Sequence, residues 1–173
     1  MTPEELDGRI GEAWSGTVPN GIHINLAIAR RGSPTAAAIV GALGSPTQGH
    51  MPILAMVESG VLVRPVTVIV NKVTLGDERI DRITWGAAQL GISQGVLDAV
   101  ADGLLDPARA GSLVLLVALW LDPKVEDETA ARKAGRAATR AAIEDAITDR
   151  DADFVRGVAD RREHASNRFY TGT

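Results

Sequence analysis

Val66-Thr-Val-Ile-Val-Asn-Lys-Val-Thr74 is the clearest β-strand pattern in the chain. β-branched residues dominate this segment, and such side chains pack well on a pleated sheet, so a strand is predicted here. Lys72 is unusual within the aliphatic run, because a lysine must either extend its amine to solvent or have that amine paired. The residue is therefore either an exposed strand end or a positive charge presented to an anionic or electron-rich ligand, and both interpretations stay open.

Three further segments also have strand patterns. Residues 21–28 alternate strictly, which predicts a strand with aliphatic residues on one face. The same period of two places His23 and Asn25 together on the other face, away from the aliphatic core. Residues 51–57 read as a buried strand, and the continuous aliphatic run at 113–121 has the length of a fully buried one.

Helical patterns separate these strands. Ser33 can cap a helix that has Pro34 at its first position and continues through residues 35–43. Residues 84–104 and 126–147 carry apolar side chains at helical spacing. Mixed strands and helices in one small unit predict an α+β fold, a two-layer sandwich with a mixed β-sheet and helices on one face.

Composition limits the possible functions. The 173 residues suit a single domain, 1–173, with a C-terminal helix and tail from about residue 148. A net charge of −4 and 3% aromatic residues argue against binding to nucleic acid. The absence of cysteine excludes disulfides and cysteine-bound zinc. The acidic start at residues 1–7 has no apolar segment typical of a signal peptide, and no apolar run is long enough for a bilayer, so a cytoplasmic protein without membrane association is expected.

Few side chains in the chain are suited to chemistry. Histidine exchanges protons near neutral pH, so His23 is a candidate acid or base, although a lone histidine is more often structural. Gln89 follows the small residues Gly86-Ala-Ala88, which would let a ligand approach, although an ordinary helix-surface glutamine is favoured on this pattern alone. The His23-Ile-Asn25 unit has no carboxylate cluster beside it, so no metal site is predicted.

Taken in order, several segments resemble the formaldehyde-activating enzyme family. No single motif is decisive, but the ordered set is specific and covers roughly residues 8–147. The segments are Gly11-Glu-Ala13, His23-Ile-Asn-Leu26, Arg31-Gly-Ser-Pro34, Gly49-His-Met-Pro-Ile-Leu-Ala55, Val63-Arg-Pro65 with Thr67, Val70-Asn-Lys-Val-Thr74, Gly86-Ala-Ala-Gln89, Ala99-Val-Ala-Asp-Gly103 and 113–121.

This resemblance implies a reaction, a fold and an assembly. The reaction condenses formaldehyde with tetrahydromethanopterin, or with another reduced pterin as co-substrate, giving the methylene derivative and water without a metal. The fold would be like the second domain of a small-subunit ribosomal protein, and the assembly a ring-like homopentamer with sites between subunits. The family's catalytic histidine falls on His23, as general acid, and its pterin-contacting positions fall on Asn25, Leu54, Lys72, Thr74 and Gln89.

Position 25 departs from the family pattern. Family members usually carry an aspartate two residues after the histidine, where this chain has Asn25. Losing that carboxylate removes a negative neighbour that would favour a protonated imidazole. Besides the enzyme, two alternatives remain: a non-catalytic oligomer that binds a pterin or similar small molecule, and an enzyme for another aldehyde and amine. A structural or nucleic-acid-binding protein is disfavoured by the acidic charge.

Overall fold

The computed structural model describes residues 1–167, and the end of the predicted tail, 168–173, lies outside the described residues. A central sheet and a small hairpin contain the strands of this part of the chain. These are β1 Ile10–Ser15, β2 Ile22–Arg30, β3 Ile53–Leu54, β4 Met56–Glu58, β5 Val61–Leu62, β6 Val66–Asn71 and β7 Leu113–Leu121. The sheet has the order β1-β2-β7-β6-β3, and β4 pairs with β5. Because β6 and β7 run parallel and the other neighbours antiparallel, the sheet is mixed, as predicted.

The helices complete the predicted α+β class. They are α1 Pro3–Leu6, α2 Pro34–Leu43, α3 Glu78–Ile83, α4 Gln89–Ala101, α5 Glu128–Ile147 and α6 Ala152–Asp160, with a π-helical turn over Thr84–Ala88 and 3-10 turns at Ala110–Ser112 and Arg162–His164. Ser33 caps α2 by accepting a hydrogen bond from the backbone N–H of Ala36, as its position before Pro34 predicts. None of the helices within residues 1–167 has the length and apolar character needed to cross a membrane.

The two faces of the sheet differ. The long helices α4 and α5 cover one face, where alternate residues of β2 and β7 are fully buried in the main core. On the face away from these helices, called the open face below, α2 covers one end through Ala36 and Ile39, and no other helix of residues 1–167 contributes to the apolar cluster there. Helices α1, α3, α4 and α5 bury residues in the main core on one face, and α2 packs on Ala29, Val68 and Val114 of the other, while α6 has no buried residue.

Two glycines allow α4 and α5 to pack closely. A Cβ atom added at Gly91 would lie 2.3 Å from the carbonyl oxygen of Arg132, and one at Gly95 would lie 2.5 Å from that of Arg136. These positions are therefore closed to any side chain unless the helices move apart. At the margin of this contact the guanidinium of Arg136 forms two hydrogen bonds with Asp98, at 2.5 and 2.6 Å.

Substitution Gly95→Ala tests this close approach. Overpacking against backbone outweighs the better helix propensity of alanine, so a net loss of about 1–3 kcal/mol in the free energy of unfolding is expected. Gly41→Ala in α2 is the matched control, because an added Cβ there meets nothing within 4 Å, and it should stabilise by about 0.4–1 kcal/mol. Urea unfolding measures both, and a Gly95→Ala variant as stable as the parent would contradict the packing.

Candidate functional site

His23 and Asn25 lie on the open face of β2, as the alternation predicts. Each has a neighbour on either side in the sheet: His23 pairs with Trp14 of β1 and Trp120 of β7, and Asn25 pairs with Glu12 and with Ala118. Both side chains are partly buried, whereas Ile24, between them, is fully buried in the main core. The middle of the open face therefore carries a polar cluster rather than an apolar layer.

Lys72 joins this cluster from two strands away. It follows the last residue of β6 and continues the parallel ladder, because its backbone N–H donates to the carbonyl of Leu119 at 2.6 Å. Its ammonium crosses β7 and lies 2.9 Å from Nδ1 of His23 and 2.7 Å from Oδ1 of Asn25. Ala118, which lies in register between Asn25 and Val70, is too short to block this path. The lysine at this strand end is therefore both exposed and paired.

A carboxylate completes the cluster from the opposite side. Oε1 of Glu12 lies 3.2 Å from Nε2 of His23, so the imidazole bridges Glu12 and Lys72. An ammonium has no lone pair and can only donate, so the charged form of Lys72 donates to Nδ1. The remaining proton of a neutral imidazole is then assigned to Nε2, on the side of Glu12. The histidine thus has a negative neighbour on β1, although position 25 carries no carboxylate.

The local environment changes the acidity of Lys72. Partial burial of the ammonium lowers the pKa of this lysine, and the negative charge of Glu12 opposes that effect without cancelling it. A lysine with a lowered pKa gives up its proton more readily than an ordinary surface lysine. In contact with an imidazole nitrogen, it is a proton donor that can become a free amine.

Two indoles flank the histidine. The ring of Trp14 stacks on that of His23, with centroids 5.6 Å apart and an interplanar angle of 28°. The ring of Trp120 lies 5.0 Å from that of Trp14 at 36°. Both tryptophans are partly exposed on the open face. They form an aromatic surface beside the polar cluster, suited to contact with a planar ligand.

Leu54 lies on a strand away from the cluster, and Thr74 lies two residues after Lys72. Leu54 pairs with Val68 on the open face, three strand spacings from β2, or about 14 Å. Thr74 follows the strand that ends at Asn71, and its hydroxyl lies 3.4 Å from Nε2 of His50. The other ring nitrogen of His50, Nδ1, contacts the backbone carbonyl of Asn71 at 2.9 Å. Their predicted contacts with a ligand are therefore compatible with one extended molecule lying along this face.

Gln89 lies on the other side of the sheet. Its amide nitrogen donates to the carbonyl of Met56 at 2.8 Å and contacts the hydroxyl of Ser93 at 3.1 Å. It is 7% exposed and lines a surface cavity of about 490 Å³ between the β4–β5 hairpin and the starts of α4 and α5. His23, Asn25 and Lys72 thus form one contact cluster, while Gln89 belongs to a separate cavity.

The sequence profile of the family described as Formaldehyde-activating enzyme (Fae) matches residues 10–169. The chain belongs to the formaldehyde-activating enzyme family. The resemblance of the ordered segments is thereby confirmed, and the polar cluster of the open face lies within the matched residues of a family member.

Similar proteins carry the family's names. The chain is 36% identical to the 5,6,7,8-tetrahydromethanopterin hydro-lyase of Methanosarcina barkeri over 123 residues, which cover 71% of this chain and 69% of that protein. It is 34% identical to a Bifunctional enzyme Fae/Hps of Methanothrix thermoacetophila and 32% identical to one of Archaeoglobus fulgidus. These matches cover 70% and 71% of this chain, but only 31% of each bifunctional enzyme.

Sequence reasoning did not identify every residue around the site of this family member. Glu12 and Trp14 lie on β1, whose six residues mix glycine, glutamate and tryptophan without an alternating pattern. Trp120 was included in a fully buried strand, yet its ring is partly exposed beside His23. The signal available was the family segment at residues 11–13, which contains Glu12 but gives no indication of which histidine it approaches.

The charge balance around Lys72 can be measured directly. Glu12→Gln removes the negative charge that partly offsets burial, so the pKa of Lys72 should fall further below its usual value. An NMR titration of the protein labelled with 13C at lysine Cε follows this group, because the chain has only Lys72, Lys124 and Lys133. Glu4→Gln, on α1, is the control. An unchanged or raised pKa of Lys72 in Glu12→Gln would show that Glu12 does not act on it.

Proposed function

We propose that this protein condenses formaldehyde with tetrahydromethanopterin, or with a related reduced pterin, to give the methylene derivative and water. The observation that carries the proposal is the contact chain Glu12–His23–Lys72–Asn25 on an accessible sheet face of a family member. The family's name and the hydro-lyase from Methanosarcina barkeri support the choice of substrates. A cytoplasmic location is part of the same proposal.

His23 serves as the general acid. Formaldehyde adds to one pterin nitrogen as a carbinolamine, which must lose its hydroxyl before the second nitrogen can close the bridge. Lys72 passes a proton to Nδ1, the imidazole becomes doubly protonated, and His23 donates a proton to the departing hydroxyl. The lowered pKa of Lys72 reduces the cost of the first transfer. The pterin nitrogen that closes the bridge releases a proton, which restores the lysine.

Asn25 and the two indoles position the co-substrate. The Asn25 carbonyl holds the lysine amine, and its NH₂ group adds two donors that an aspartate would lack. This change favours a ligand that offers acceptors at this point. Trp14 and Trp120 provide an aromatic surface on which a pterin ring can stack next to His23. Holding the ring and the aldehyde together accelerates the condensation by proximity.

The proposed ligand would need two copies of the chain. His23 and Gln89 lie on opposite sides of one sheet, so a single pterin can contact both only if they come from neighbouring subunits. Exposed apolar side chains near the Gln89 cavity, at Met56, Val61 and Leu90, are suited to such an interface. We therefore include in the proposal a homo-oligomer, a pentameric ring as the family resemblance implies, with the reaction site between subunits.

The catalytic proposal is tested by the rate of condensation at low formaldehyde. Purified protein should accelerate the reaction with tetrahydromethanopterin or with tetrahydrofolate, and His23→Ala should return the rate to the spontaneous one, a loss of about 10²-fold or more. Asn25→Asp, measured in parallel, should change the preferred pterin. Circular dichroism of the variants controls for folding.

A wild-type protein that leaves the spontaneous rate unchanged with each pterin would refute the enzyme. If the same protein then bound a reduced pterin saturably, as measured by calorimetry, the non-catalytic binding alternative would replace it.

If the site is shared between subunits, two inactive variants should restore activity when they are assembled together. His23→Ala and Gln89→Ala chains should each be inactive alone. When equal amounts are refolded together, an interface is intact where a chain that keeps His23 meets a neighbour that keeps Gln89. Random assembly gives this arrangement at about one interface in four, so about a quarter of the wild-type activity should return. Sedimentation velocity should give about 91 kDa, five chains of 18.2 kDa each. A monomer, or mixtures without regained activity, would contradict a site shared between subunits.

A further inference from the structure

Building on the proposed function, we propose that Lys72 is the residue that captures formaldehyde, its Nζ forming a covalent one-carbon adduct before the pterin receives the carbon. The reaction described above uses Lys72 only as a proton donor. The geometry around the amine fits a second role, that of a nucleophile.

The amine has a base in direct contact and, within residues 1–167, no carboxylate paired with it. Nζ lies 2.9 Å from Nδ1 of His23, which can accept its proton, and 2.7 Å from Oδ1 of Asn25, which can hold one of the remaining hydrogens. Glu12 contacts the far side of the imidazole, at Nε2. In the part of the chain that the structure describes, no carboxylate oxygen lies within 4.0 Å of Nζ.

The environment of Lys72 therefore makes the free amine easier to reach than in an ordinary surface lysine. A lysine paired with a carboxylate is held as an ammonium, which has no lone pair and cannot attack an aldehyde. Partial burial lowers the pKa of Lys72, and the neighbouring imidazole offers a destination for the proton. Lysines placed in this way are the ones that form Schiff bases with carbonyl compounds.

The covalent steps balance without an oxidant or a reductant. Lys72 gives a proton to His23, and its lone pair bonds to the formaldehyde carbon, while the carbonyl oxygen takes the second amine proton and becomes a hydroxyl. The imidazolium protonates that hydroxyl, the C–O bond breaks, and water leaves an iminium on Nζ. A pterin nitrogen then adds to this carbon and passes its proton to Nζ, and the C–Nζ bond breaks to leave an iminium on the pterin and a free amine on Lys72. The second pterin nitrogen bonds to the same carbon, which closes the methylene bridge, and the proton that it loses restores the ammonium of Lys72.

Formaldehyde is too small to be bound tightly without a covalent bond. The molecule has two non-hydrogen atoms, so non-covalent contacts can hold it only weakly. A bond to Nζ retains the carbon until a pterin arrives, and the partly exposed position of Lys72 on the open face gives the pterin access. The water released in capture is the same water that the overall condensation produces.

Reductive trapping tests this adduct directly. The full-length protein is exposed to substoichiometric 13C-formaldehyde with cyanoborohydride and no pterin, then cleaved at acidic residues for peptide mass spectrometry. The chain has only three lysines, and Lys72, Lys124 and Lys133 are all exposed, so accessibility alone gives similar labelling. Capture predicts that the methyl label appears on Lys72 about tenfold faster than on the other two.

Two variants separate capture from simple reactivity. His23→Ala should abolish the preference for Lys72, because the amine loses its proton acceptor. Lys72→Arg keeps a cation beside His23 and Asn25 but cannot form the iminium, so it should lose the acceleration of pterin condensation.

Labelling of Lys72 no faster than that of Lys124 and Lys133, or full acceleration by Lys72→Arg, would overturn the inference. If the wild type accelerates condensation while Lys72 is labelled no faster than the other lysines, the proposed function stands and only the capture fails. Full acceleration by Lys72→Arg would also remove the proton transfer from Lys72 and leave only the condensation itself. A wild type without acceleration, by contrast, refutes the proposed function whatever the labelling pattern.

Discussion

The contact between Lys72 and His23 is the interaction on which the site depends, because it exists only if three strands hold their register. Lys72 must follow directly on the end of β6, β7 must present the small residue Ala118 between Val70 and Asn25, and β2 must present His23 and Asn25 on the same face. A shift of one residue in any of these pairings would turn the polar groups into the main core. The strand pairing that builds the core therefore also fixes the distances of the chemistry.

One face of the sheet packs the hydrophobic core, and the other carries the residues of the proposed site. Its covered face is aliphatic and tightly packed against α4 and α5, where Gly91 and Gly95 leave no space for a side chain. The open face carries charged, amide and aromatic groups that a fully covered sheet would have to desolvate at a cost. The same division places Gln89 behind the sheet, which is why the proposed ligand requires a second copy of the chain.

The regular parts of the structure were predictable and the irregular parts were not. The strand at Leu113–Leu121 follows from a continuous aliphatic run and the strand around His23 from strict alternation, and both strands agree with the structure. The prediction that the first of them is fully buried is wrong, because Leu116, Ala118 and Trp120 are only partly buried. β1 has no such period, so Glu12 and Trp14 were missed, and the predicted strand at residues 51–57 is divided between β3 and β4. The grouping of Lys72 with His23 depends on pairing between distant segments, which local patterns do not specify.

The ring protons of His23 provide the most direct test of this site. Long-range 1H–15N NMR of the 15N-histidine-labelled protein, at a pH where the imidazole is neutral, distinguishes the two tautomers. A proton on Nε2, with Nδ1 accepting from Lys72 and shifting when Lys72 is replaced by methionine, is the expected result. A proton on Nδ1, or a His23 signal indifferent to Lys72→Met, would mean that the lysine does not act on the histidine, and the proposed proton transfer and formaldehyde capture would both fail.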